Sequence, residues 1–223
     1  MGKTITLTAA DGHELTAYRA DPQGRPRGGL VVVQEIFGVN DHIRKVADDF
    51  AAEGYAVIAP AMFDRVQRGV ELGYKEADIA EGRAIRGKIA DSDALKDIAA
   101  AHDAVKATGK VGIVGYCWGG FIAWLAATRL DGFSAAIAYY GGGIGNVAQE
   151  TPRCPVMMHF GEKDTAIPLA DVDKIRAAQK DRVEIHLYPA GHGFNCDQRG
   201  SFDAPSAQLA RERSLAFLRR HVG

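Results

Sequence analysis

The sequence predicts an α/β fold built on one mostly parallel central sheet, with helices on both faces and an antiparallel hairpin at its N-terminal edge. Three observations carry this. Short apolar runs such as Leu30-Val-Val-Val33 have the character of strands buried on both faces. Stretches of helical spacing alternate with them. The first two strand-like runs, Thr4 to Thr8 and Glu14 to Arg19, flank the turn dipeptide Asp11-Gly12 and read as a hairpin.

A Pro/Gly-rich connection, Asp21 to Gly29, precedes the strand Leu30 to Val33, which ends at Gln34-Glu35. Asp41 is the expected N-cap of a helix through Ala52, with Ile43, Val46, Ala47 and Phe50 on one stripe and Gly54 ending it. Tyr55 to Ala59 is the next strand. Pro60 to Gly73 is irregular, a candidate lid or rim, and Glu76 to Ile89 and Asp93 to Thr108 regain helical spacing. Lys110 to Gly115 reads as a strand and Trp118 to Arg129 as a helix. Strands at Ala135 to Tyr140, Pro155 to Phe160 and Arg182 to Tyr188 follow, with helices at Leu169 to Gln179 and Ala204 to His221. The 223 residues form a single domain, 1–223, large enough for one substantial core.

With 27 basic against 28 acidic residues, no net field favours nucleic acid or an anionic membrane surface, and a small-molecule substrate is the expected partner. Neither a signal-peptide core nor a membrane-span length of apolar sequence is found, which predicts a cytoplasmic location. Cys117, Cys154 and Cys196 cannot all pair and show no metal-ligand spacing. No metal and no cofactor are expected, and the chain is expected to be a monomer or small homo-oligomer.

In such sheets ligands bind beyond the carboxyl ends of the strands. There stands Gly115-Tyr-Cys-Trp-Gly119, the cysteine form of the G-x-S-x-G elbow. Its glycines let strand and helix approach, and its turn sets Cys117 at a helix N-terminus, whose dipole favours thiolate. Alone, the pattern could be a packing feature of a glycine-rich segment. A base and an orienting carboxylate at later strand ends strengthen it.

Of seven histidines, only His192 lies in a glycine-flanked loop, Ala190-Gly-His-Gly-Phe194, directly after the last strand. His159 and His186 lie within strands, His13 follows a turn, and His42, His102 and His221 fall on helices that would show them to solvent. Asp164, in Gly161-Glu-Lys-Asp164, follows another strand. The order Cys117, Asp164, His192 is that of α/β-hydrolase triads. Asp164 would fix the imidazole tautomer, His192 would carry the proton, and the backbone amides of Trp118 and Ile36 would face the oxyanion.

With Gln34-Glu-Ile-Phe-Gly-Val-Asn40 after the early strand, the elbow, Gly161-Glu-Lys-Asp164 and Ala190-Gly-His-Gly-Phe194, the chain resembles the dienelactone hydrolases, or carboxymethylenebutenolidases, over nearly its whole length. The resemblance implies an α/β-hydrolase fold. It also implies cofactor-free hydrolysis of an enol-lactone of catechol degradation, dienelactone to maleylacetate, through an acyl-cysteine. It implies further that Glu35 contacts the resting thiol and helps form the thiolate; the residue pattern alone equally allows a structural hydrogen-bond acceptor.

The family binds the substrate carboxylate with two arginines. Arg83 can serve as one, but the stretch after His192, Gly193-Phe-Asn-Cys196, has no arginine until Arg199. Trp118 and Tyr140 are candidate pocket walls, Tyr140 as a substrate contact, while Tyr139 reads better as core. Cys154 and Cys196 are unpaired bystanders. Two rival functions remain: a broader carboxylesterase or thioesterase on the same triad, and a redox-sensing or binding protein using Cys117 without turnover.

Overall fold

A computed structural model describes residues 2–223. Eight strands form one sheet in the order β1-β2-β4-β3-β5-β6-β7-β8, namely β1 (Lys3–Thr8), β2 (Glu14–Ala20), β3 (Gly29–Val33), β4 (Ala56–Pro60), β5 (Val111–Tyr116), β6 (Phe133–Tyr139), β7 (Val156–Gly161) and β8 (Val183–Tyr188). β1 pairs antiparallel with β2 and β2 antiparallel with β4; every other pairing is parallel. Burial follows the pairing. Every residue of β3, β4, β5 and β7 is buried, whereas the edges β1 and β8 alternate with exposed positions. Val31, Val32 and Val33 are all at 0% exposure, each such burial worth about 1.5–3 kcal/mol.

Six helices cover the sheet: α1 (Asp41–Ala52), α2 (Glu76–Arg86), α3 (Asp91–Val105), α4 (Trp118–Arg129), α5 (Leu169–Gln179) and α6 (Ala204–His221). α1 and α3 both pack on β3 and β4, and α4 and α6 both pack on β6. The apolar α4 is buried all round apart from its last residue, as a central helix should be. Among the described residues, no helix is long and apolar enough to cross a membrane.

Several expectations need correction. Asn40, not Asp41, caps α1: its Oδ1 accepts from the Ile43 amide at 3.3 Å, while its Nδ2 donates to the Leu72 carbonyl and the Tyr74 hydroxyl at 3.1 Å each. An amide side chain can donate to the neighbouring loop while capping, which a carboxylate cannot. His42 does not face solvent but is buried at 3%, because the first turn of α1 lies under the loop containing Asp197. His102 leans on Phe133, with ring centroids 5.0 Å apart, and His221 on Phe217 at 4.6 Å.

The irregular segment is packed into the core at its start. It contains a 3-10 turn, Met62–Arg65, and its Phe63 stacks on Trp118 at 5.6 Å while being 1% exposed. His159 is the expected core histidine: Nδ1 meets the Tyr188 hydroxyl at 2.8 Å and Nε2 the Ser214 hydroxyl at 3.0 Å, and burial pushes its pKa well below the ordinary value.

Candidate active site

The carboxyl ends of β3, β5, β7 and β8 converge on one cleft of about 440 Å³. Cys117 sits between β5 and α4 with φ 54° and ψ −115°, a conformation that a non-glycine residue adopts only under strain. The flanking glycines are steric necessities. A Cβ on Gly115 would stand 1.8 Å from the Gly119 carbonyl oxygen, and one on Gly119 would stand 2.4 Å from that of Val33. The turn therefore closes only with glycine at both places, and Cys117 becomes the N-cap of α4 with its thiol beside the positive end of the helix dipole.

His192, in the loop after β8, places Nε2 at 3.1 Å from Cys117 Sγ and Nδ1 at 2.8 Å from Asp164 Oδ2. The other Asp164 oxygen accepts from the Ala166 and Ile167 amides at 2.8 and 3.1 Å, so the carboxylate cannot rotate without losing two bonds. Burial alone would lower the pKa of His192. The Asp164 carboxylate and the Cys117 thiol outweigh it and raise the pKa to about 10. An imidazole held this way accepts a thiol proton readily and keeps a fixed tautomer.

Trp118 is the first residue of α4, so its amide has no acceptor within the helix, and both it and Ile36 line the cleft beside Cys117. Helix α2 lies over the Ile36 turn because Gly82 has no Cβ: one would stand 1.9 Å from the Ile36 carbonyl oxygen. That close approach carries Arg83 and Arg86 to the cleft wall, with the Arg86 guanidinium 5.8 Å from the Trp118 ring.

Glu35 is 1% exposed and does not touch the thiol in this structure. Its Oε1 accepts from Arg199 Nη1 at 3.0 Å. Arg199 also lines the cleft, so a guanidinium does stand near His192 despite its sequence distance. The loop after His192 doubles back, the Asp203 amide donating to the Phe194 carbonyl at 3.1 Å, and Gly193 leaves room for the guanidinium, which would lie 2.4 Å from a Cβ there. The sequence names Arg199 only as the first arginine after His192 and gives Arg86 no role; the local signal for Arg199 is the glycine after His192.

Tyr140 does not wall the cleft. It is fully buried beneath His192, with ring centroids 5.2 Å apart, and is itself at φ 37°. Tyr139 is in the core, its hydroxyl 2.7 Å from that of Ser214.

The family model described as the dienelactone hydrolase family matches residues 15–222. The chain belongs to the dienelactone hydrolase family. It is a hydrolase with a small-molecule substrate. Among relatives of this family, it is 37% identical over 232 residues to a Synechocystis protein provisionally named carboxymethylenebutenolidase, covering 95% of this chain and 94% of the other. A Yersinia pestis protein with the same provisional name is 36% identical over 237 residues, covering 97% and 87%. The crystal structure of a provisionally named dienelactone hydrolase from Klebsiella pneumoniae superposes with a TM-score of 0.87 at 30% identity, covering 99% of this chain and all of that one. The dienelactone hydrolase sheet, with its N-terminal antiparallel pair, is the α/β-hydrolase fold.

Proposed function

We propose that the chain hydrolyses enol-lactones of the dienelactone type, carrying a carboxylate, through an acyl intermediate on Cys117. The observation that carries this reading is the unbroken contact from Cys117 Sγ to His192 Nε2, 3.1 Å, and from His192 Nδ1 to Asp164, 2.8 Å. His192 takes the thiol proton, and the thiolate attacks the lactone carbonyl. The amides of Trp118 and Ile36 receive the developing oxyanion, a role worth about 2.7–4 kcal/mol per donor. Collapse breaks the ring C–O bond, the enolate oxygen leaves and is protonated, and the acyl group stays on sulfur. Water, deprotonated by His192, then attacks the thioester and restores the thiol.

Three guanidiniums at the cleft, Arg83, Arg86 and Arg199, support an anionic substrate. A substrate carboxylate at Arg199 would compete with Glu35 for the guanidinium, and a Glu35 so released is free to assist thiolate formation. The broader carboxylesterase reading drew on the apparent lack of an arginine beyond His192, and Arg199 removes that reason. The redox-sensing reading offers no use for the Asp164 contact that orients His192.

The test is intact-mass spectrometry after mixing with dienelactone. Wild type should gain the acyl mass and Cys117→Ala should not; acylation surviving the substitution would remove the nucleophile assignment. Faster turnover of a neutral analogue than of the acidic lactone would remove the substrate assignment.

A further inference from the structure

Around the buried Glu35, three potential metal donors converge that the hydrolytic reading leaves unused as a set. A Glu35 carboxylate oxygen, a His42 ring nitrogen and Cys196 Sγ all lie within 4.8 Å of one another. They come from the end of β3, the first turn of α1 and the loop after His192, and are 1%, 3% and 0% exposed. Glu35 Oε2 and His42 Nε2 are buried without a hydrogen-bond partner. Orphaned polar atoms at this depth are costly, and two on neighbouring side chains require a common explanation.

We propose that Glu35, His42 and Cys196 form a binding site for a borderline-soft divalent cation of the zinc type, distinct from the triad. The donor set selects the class of ion: thiolate, imidazole and carboxylate together suit zinc, whereas magnesium and calcium take oxygen donors. His42 also has the outer partner that a metal-binding histidine uses. Its Nδ1 faces Asp197 Oδ1 at 3.4 Å, and a proton held there leaves Nε2 as the lone-pair nitrogen. One of the three donors, His42, is also reached from outside. A cavity of about 300 Å³ between α1 and α6 is lined by His42, Lys45 and Asp197 and shares no lining residue with the active-site cleft. The Cys196 thiol gives up its proton to solvent as the sulfur–metal bond forms.

A metal ion on Oε2 would hold Glu35 in place, its other oxygen still accepting from Arg199 at 3.0 Å, and so withhold it from the thiol. Occupation of this site is therefore inhibitory. That consequence rests on the proposed roles of Glu35 and Arg199; the binding itself does not.

The test uses the untagged full-length chain titrated with Co²⁺ alone. One equivalent should produce a near-ultraviolet thiolate-to-cobalt charge-transfer band, which Zn²⁺ abolishes. The band should persist in Cys117→Ala and vanish in Cys196→Ala, with circular dichroism showing that both variants are folded. Asp197→Asn, at a half-exposed position that does not endanger folding, should weaken binding about tenfold. No band in wild type, its loss in Cys117→Ala, its survival in Cys196→Ala, or unchanged affinity in Asp197→Asn would each overturn the proposal. A band of the expected pattern with no loss of turnover would instead overturn the roles given to Glu35 and Arg199, leaving the metal site standing.

Discussion

Arg199 and Glu35, 164 positions apart in sequence, form a 3.0 Å ion pair that ties the loop after His192 to the end of β3. Glu35 is almost wholly buried, and that guanidinium is the hydrogen-bond donor to its Oε1. Arg199→Met should cost about 3–5 kcal/mol of stability, because it strands a buried carboxylate. The double variant Arg199→Met with Glu35→Gln should recover much of this loss. Urea denaturation of both variants checks it, and a double variant no more stable than the single one would show that the pair is not the cause.

The raised pKa of His192 carries a signed dependence on pH. Its folded value of about 10 lies above the unfolded reference of about 6.5, so the protonated ring contributes stability that is complete below about pH 6.5 and lost as pH rises toward 10. Asp164→Asn removes the foremost cause of the rise and should lower the pKa by about 1–3 units. NMR titration of the His192 ring protons in both proteins gives the two midpoints; equal midpoints would show that Asp164 does not support the charge.

Glycines should be intolerant of substitution where the backbone is close, as at the elbow, and tolerant where it is not. Gly119→Ala drives a methyl to 2.4 Å from the Val33 carbonyl oxygen, which cannot yield as a side chain could. It should cost about 1–3 kcal/mol or more and, by shifting Cys117 against His192, about 100-fold in kcat. Gly200→Ala, where a Cβ would meet nothing within 4 Å, should change stability by less than about 0.5 kcal/mol. Thermal unfolding and turnover measured on both variants make the comparison.

Tyr140 provides a test of what lies outside the cleft. Its hydroxyl is buried with no hydrogen-bond partner, so Tyr140→Phe should leave stability unchanged or raise it by up to about 1 kcal/mol, with kcat/KM within about threefold of wild type. A tenfold rise in KM would return the hydroxyl to substrate binding.

Much of the fold was readable because its causes are local. Trp118–Arg129, Leu169–Gln179 and Ala204–His221 are helices with the bounds their spacing predicts, and the strands differ from expectation by one or two residues at their ends. The elbow was readable in part for the same reason: Gly115 answers a steric demand made by Gly119 within five residues, while the demand on Gly119 comes from Val33, in another strand. Asp164 and His192 could be picked out because each follows a strand, and a parallel sheet brings strand ends to one rim.

The sequence by itself thus determined the sheet, the elbow and the order of Cys117, Asp164 and His192. Only the tertiary structure decided where long side chains and loop residues went. The doubled-back loop brings Arg199 to Glu35, and the same loop buries His42 and sets Cys196 beside it. Tyr140 lies one residue past β6 yet turns under His192, not into the cleft. Periodicity reports which face of an element is apolar, but the reach of a guanidinium across a loop depends on contacts between segments far apart in the chain. No local pattern encodes those contacts, and packing alone selects among them.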